Sequence, residues 1–153
     1  MANTATMTLI DGLRFTAETG SGHIVELDSR TDETPMAAPS PMELQLVALG
    51  GCTAMDVISI LRKMRQDVTE YAVELTGERA SEHPKVYTTV DVVHRLRGRD
   101  IAEDSVRRAI ELTIERYCPV FNMLYPKVAI RELYTIEDES SGAKAEGIVT
   151  RAD

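Results

Sequence analysis

The amino-acid sequence predicts an α+β fold with a largely antiparallel sheet and a long, buried central helix. Three observations carry that expectation. A chain of 153 residues, 43% of them apolar, is the size of one ordinary domain and can build a core. Its strand-like segments come in hairpin-like pairs split by Gly- or Pro-bearing turns. One segment, 42–64, is apolar on nearly every side as far as Leu61, and a helix of that character is a buried one. So small a domain cannot easily bury it alone, so an obligate homodimer is expected.

The elements follow in the order β-β-α-β-β-α-α-β. Residues 8–16 are rich in β-formers, and a Gly-rich turn leads to His23-Ile-Val-Glu-Leu27. Residues 28–40 read as a long loop. Ser40 is placed to N-cap the central helix, Pro41 suits its first position and Glu43 completes a capping box. Residues 71–79 and 86–97 read as two strands. In the second, Val86, Thr88, Val90, Val92, His94 and Leu96 share one face, with Asp91, Arg95 and Arg97 on the other. His94 is read as a satisfied core histidine rather than a ligand. Asp100 and Glu103 form the expected cap of a second helix, which must stop near Tyr117 because Pro119 drives Cys118 out of the α region. Pro119 opens a short helix closed by Pro126, and a last strand covers 128–136. Residues 1–137 are expected as a single domain, and 138–153 as a disordered acidic tail.

Composition removes several function classes. Lys and Arg number 17 against 25 Asp and Glu, a net charge of −8, and there is no Trp. Nucleic-acid binding is therefore not expected. Two cysteines and three histidines fit no zinc spacing, so no metal and no cofactor are expected. Residues 1–7 carry no Lys, Arg or apolar run, so no targeting peptide is expected, and the apolar stretch 46–60 falls short of a membrane span. The expected location is the cytoplasm, where thiols are kept reduced.

Both cysteines sit in unusual settings. Cys52 follows Gly50-Gly51 inside the central helix, where each glycine costs about 1 kcal/mol relative to alanine. Small residues there admit a close backbone or a ligand. Cys118 stands at the N-cap of the short helix, where unpaired N–H groups and the helix dipole should lower its thiol pKa. For each, an inert packed thiol is the alternative. Together they match a reactive thiol with a resolving partner. Asp56, one turn beyond Cys52, is expected to pair with Arg62, Arg65 or a cation of a partner subunit, with tuning of the thiol site as the alternative.

At these residues the sequence resembles the OsmC/Ohr family, the osmotically induced and organic-hydroperoxide-resistance proteins. The resemblance is carried by Ser40-Pro-Met-Glu-Leu44, by Ala48-Leu-Gly-Gly-Cys-Thr-Ala-Met-Asp-Val57, by Ile60-Leu-Arg-Lys63 and by Glu115-Arg-Tyr-Cys118, over roughly residues 7–137. It implies an OsmC-like fold, an intertwined homodimer with sites at the subunit interface, and a thiol-dependent peroxidase of oxidative stress defence that reduces organic hydroperoxides. Cys52 would be peroxidatic and Cys118 resolving, with a dithiol such as a lipoylated protein as reductant.

The family also implies an Arg and a Glu beside the thiolate. Its Glu position falls on Met42, and Glu43 lies nine residues before Cys52, about half a turn out of phase and about 13 Å along a straight helix. Glu43 therefore reads as a capping residue, with a catalytic role only across an interface or past a helix distortion. Arg14, the one Arg of the first hairpin, reads either as the family's Arg or as a solvated strand residue. A non-catalytic or redox-sensing dimer that binds an apolar ligand at its interface is the alternative function.

Overall fold

The computed structural model describes residues 2–30 and 35–151. Contacts divide the chain into two compact units, Met1–Val47 and Ala48–Asp153. The first carries an antiparallel sheet ordered β1(Ala5–Asp11)–β2(Arg14–Thr19)–β3(Ile24–Leu27). The β-rich run 8–16 thus breaks into two strands rather than one. Gly12, at φ 54°, makes the tight turn between them, and Leu9 lies opposite Phe15. Ser40 and Glu43 form the expected capping box. The Ser40 N–H and hydroxyl both donate to Glu43 Oε2 at 2.7 Å, and the Glu43 N–H donates back to Ser40 Oγ at 3.3 Å. Helix α1 then runs Pro41–Lys63 across the boundary between the units.

The second unit is a four-stranded sheet in the order β4(Asp67–Arg79)–β5(Tyr87–Arg99)–β6(Ala129–Asp138)–β7(Lys144–Val149). β4 and β5 pair antiparallel, as do β6 and β7, whereas β5 and β6 are parallel. A parallel neighbour needs a crossover. It is made by α2(Glu103–Leu112), a π-helical turn over Thr113–Tyr117, and α3(Pro119–Leu124).

The core lies on the inner sheet face, under the helices. α1 contributes Leu49, Val57 and Leu61, α2 contributes Val106, Ala109 and Ile110, and β5 contributes Val90, Val92 and Leu96, all buried. The expected face of β5 is the one observed from Val90 to Leu96; at the start of the strand, beside a register shift in β4, Tyr87 is buried instead, and Val86 and Thr88 are exposed. His94 is fully buried there and partnered on both sides: Tyr71 Oη lies 2.7 Å from Nδ1, and Glu132 Oε2 lies 2.7 Å from Nε2. Burial and the Glu132 charge push the Tyr71 phenol pKa up. The outer face is solvated and carries cross-strand ion pairs, Arg95–Glu74 at 2.8 Å and Arg97–Glu70 at 3.0 Å.

Four expectations change. Residues 144–149, inside the stretch expected as a disordered tail, form β7 and pair with β6. Asp100 does not cap α2. It sits at φ 50° with its N–H on Asp138 Oδ2, and the N-cap is Ala102 without a side-chain bond. Glu103 accepts instead from the Tyr134 hydroxyl at 2.5 Å. α1 is not buried all round: Leu49, Thr53, Val57 and Leu61 face inward, while Met55 remains 70% exposed. Finally, α1, with 23 residues, is long and apolar enough to cross a membrane by length and composition alone, so the expected shortfall does not hold. A core helix meets the same criterion.

Candidate active site

The two cysteines meet in the second unit. α1 supplies Cys52 and, one turn later, Asp56. Residues four apart share a helix face, so thiol and carboxyl point the same way. Cys118 arrives from the crossover. The π-helical turn closes with the Cys118 N–H on the Thr113 carbonyl at 2.9 Å, and Pro119 then holds Cys118 in an extended conformation, φ −75°, ψ 103°. The ligating atoms of Cys52, Asp56 and Cys118 all lie within 4.8 Å of one another. Both cysteines are free thiols, Cys118 buried and Cys52 partly exposed.

Several bonds brace the Cys118 turn. The Asn122 side-chain amide donates to the carbonyls of Ile114, at 3.2 Å, and Cys118, at 2.9 Å. Arg151 donates to Asn122 Oδ1 at 2.6 Å, and its guanidinium lies 5.1 Å from the centre of the Tyr125 ring. The strand that replaces the expected tail therefore brings the C-terminal arginine back onto α3. On the α1 side the Thr53 hydroxyl donates to Leu49 O at 3.1 Å, and Gly50 admits Leu75 of β4 so closely that a Cβ would overlap Leu75 Cδ1.

The electrostatics reverse one expectation. As expected, Cys118 Sγ accepts from an N–H of its helix, that of Phe121 at 3.3 Å, and this bond favours the thiolate. Burial outweighs it, and so does a hydrogen bond with the Cys52 thiol. The Cys118 pKa is pushed up to about 12 instead of down. Burial also raises the Asp56 carboxyl pKa. Among the described residues Asp56 makes no ion pair, so neither Arg62 nor Arg65 holds it. It lines a cavity of about 330 Å³ together with Lys63, Met64, Leu112 and Tyr117.

Arg14 and Glu43 belong to the first unit. The Arg14 guanidinium pairs with Glu26 at 2.5 Å, which raises its pKa. The Glu43 carboxylate is held by Ser40, and those bonds lower its pKa. The sequence places Asp56 near Cys52 and favours an ion-pairing role over a part in the site. The signal that it belongs to the site was its spacing of four residues from a helical thiol.

A fold of this topology with a thiol pair joining the central helix to the crossover defines a class, and comparison with known proteins gives that class a name. The family described as OsmC-like protein matches residues 31–132, and the chain belongs to that family. It is 42% identical over 127 residues to Protein YhfA of Escherichia coli K12, a match covering 83% of this chain and 92% of YhfA. The fold is also that of an OsmC-like protein from Mycoplasma pneumoniae, with a TM-score of 0.76 at 17% identity over 89% of this chain and 97% of the other. An organic hydroperoxide resistance protein from Elizabethkingia anophelis shares it with a TM-score of 0.63 at 12% identity, over 91% and 97% of the two chains.

Proposed function

We propose that the protein is a thiol-dependent peroxidase that reduces organic hydroperoxides, with Cys52 as the attacking and Cys118 as the resolving thiol. The observation that carries this reading is the pair of free thiols held within 4.8 Å across two separate elements. The Cys52 thiolate attacks the outer peroxide oxygen, the O–O bond breaks, and the departing alkoxide takes a proton to leave as alcohol. Cys52 is then a sulfenic acid. The Cys118 sulfur attacks it and water leaves, made of the sulfenic hydroxyl and the Cys118 proton. A disulfide remains. Its bonded distance of about 2.05 Å requires the sulfurs to close less than about 3 Å. A dithiol reductant such as a lipoylated protein restores both thiols by exchange.

The inequality of the thiols supports this division of roles. Cys118 is buried and keeps its proton, whereas Cys52 is partly exposed and can meet a peroxide. Membership of a family that includes organic hydroperoxide resistance proteins supports the substrate class. The reaction is assigned to the cysteine pair, with Arg14 and Glu43 in supporting roles within their own unit. The working form is a homodimer: Met55 on α1, Tyr117 and Met123 are large apolar side chains more than half exposed in the single chain. A cytoplasmic location and a part in oxidative stress defence complete the reading. The test is turnover of cumene hydroperoxide by purified protein with a dithiol. Activity should vanish in Cys52→Ser; turnover unchanged by that substitution would refute the proposal.

A further inference from the structure

We propose that Cys52, Asp56 and Cys118 form a binding site for a thiophilic d10 divalent cation of the Zn²⁺ type. This inference goes beyond the peroxidase reading and does not depend on it.

The spacing of cysteines and histidines along the chain matches no zinc pattern, but the fold assembles a donor set that the linear spacing hides. Two thiol sulfurs and a carboxylate oxygen lie within 4.8 Å of one another. A tetrahedral ion with metal–sulfur bonds near 2.3 Å holds its sulfurs about 3.8 Å apart. The observed separations therefore need at most about 1 Å of contraction. Cys52 and Asp56 stand four apart on one helix face, the spacing by which helical metal sites present two ligands to one ion. The third ligand comes from a turn fixed by Pro119 and by the Asn122 amide. Three ligands on two separately anchored elements make a site rather than a chance surface cluster.

The donor chemistry selects the ion. Two thiolates disfavour Mg²⁺ and Ca²⁺, which prefer oxygen, and favour soft or borderline cations. Three protein ligands leave the fourth tetrahedral position to water. That position is reachable, because Cys52 and Asp56 are only partly buried and Asp56 borders the 330 Å³ cavity. Binding replaces the two thiol protons, which pass to solvent, and leaves the oxidation states of sulfur and metal unchanged. With both sulfurs bonded to the ion, neither is free to be alkylated.

The experiment uses the tag-free, reduced full-length chain titrated with Zn²⁺ alone by calorimetry against a competing chelator, and with Cd²⁺ alone by its ultraviolet thiolate-to-metal band. One ion per chain is expected, with the Cd²⁺ band present. Cys52→Ser should abolish both signals. Asp56→Asn should keep the band and weaken affinity by at least about tenfold, since even residues that merely orient a ligand are worth 10–100-fold. Alkylation of Cys52 should stop when the ion is added and resume on chelation. Absence of 1:1 binding overturns the inference, as does binding that survives Cys52→Ser. An unchanged affinity in Asp56→Asn removes the carboxylate from the site and overturns the three-ligand form. Circular dichroism of each variant separates ligand loss from misfolding.

Discussion

Cys118 shows how burial and a helix terminus compete at one atom. Its sulfur receives the Phe121 N–H, the interaction that makes a cysteine at a helix start acidic. It is also fully buried, and burial disfavours the thiolate. With the Cys118 pKa pushed up to about 12, iodoacetamide at pH 8 should label Cys52 and spare Cys118, as read by peptide mass spectrometry. Labelling of Cys118 first would reverse the assigned roles. The same shift has a consequence for stability. The folded chain holds this proton more tightly than the unfolded chain, whose thiol titrates near ~8.5. The contribution to stability is therefore complete below that value and is lost as pH rises towards 12. Urea midpoints should fall from about pH 9 upward, and by less in Cys118→Ala. The position of Cys118 was legible in the sequence from Pro119 alone. Its ionisation was not, because burial depends on residues distant in the chain.

At the scale of elements, the two glycines before Cys52 divide the work. Gly50 lies where a Cβ would overlap the tip of the Leu75 side chain of β4, so a side chain there must displace it. A Cβ at Gly51 would meet only Met55 Cε, at an ordinary 3.7 Å. Gly51→Ala should gain up to about 1 kcal/mol from helix propensity, whereas Gly50→Ala should gain less, because Leu75 has to move. Thermal melts of the two variants check this. Equal gains would mean that Leu75 places no demand on Gly50. Sequence reasoning saw that the pair needed compensation but could not say which glycine meets the sheet, because Leu75 lies 25 residues further on. β7 was missed for a similar reason. Lys144–Val149 has little pattern of its own, and Gly147 interrupts it. Its glycine is explained by Tyr134, whose hydroxyl fills the space a side chain would take. By contrast, the α1 cap was legible because Ser40 and Glu43 are local to it.

The whole molecule leaves apolar surface that one copy does not cover. In the second unit Met55, Tyr117 and Met123 are exposed. In the first, β1 is exposed along all seven residues, Met7 and Leu9 among them. A helix apolar on most sides predicted this need for a partner, and the single chain leaves it unmet. The protein should sediment as a dimer at micromolar concentration, and Met55→Glu should shift it towards monomer by burying a charge in the interface. A wild-type monomer in sedimentation velocity would contradict the dimer. Fold class, central helix and both cysteines were readable because they rest on local pattern and motif. The parallel β5–β6 pair and the approach of Cys118 to Cys52 and Asp56 arise only in the folded chain.

Cys52 and Cys118 as a peroxide-driven thiol–disulfide couple can be read from the intact mass after one equivalent of cumene hydroperoxide. The wild-type chain should lose two hydrogens, with digestion yielding a single Cys52–Cys118 linked peptide. The Cys118→Ser variant should gain one oxygen on Cys52. An unchanged mass in the wild-type chain, with the fold intact, would contradict the couple.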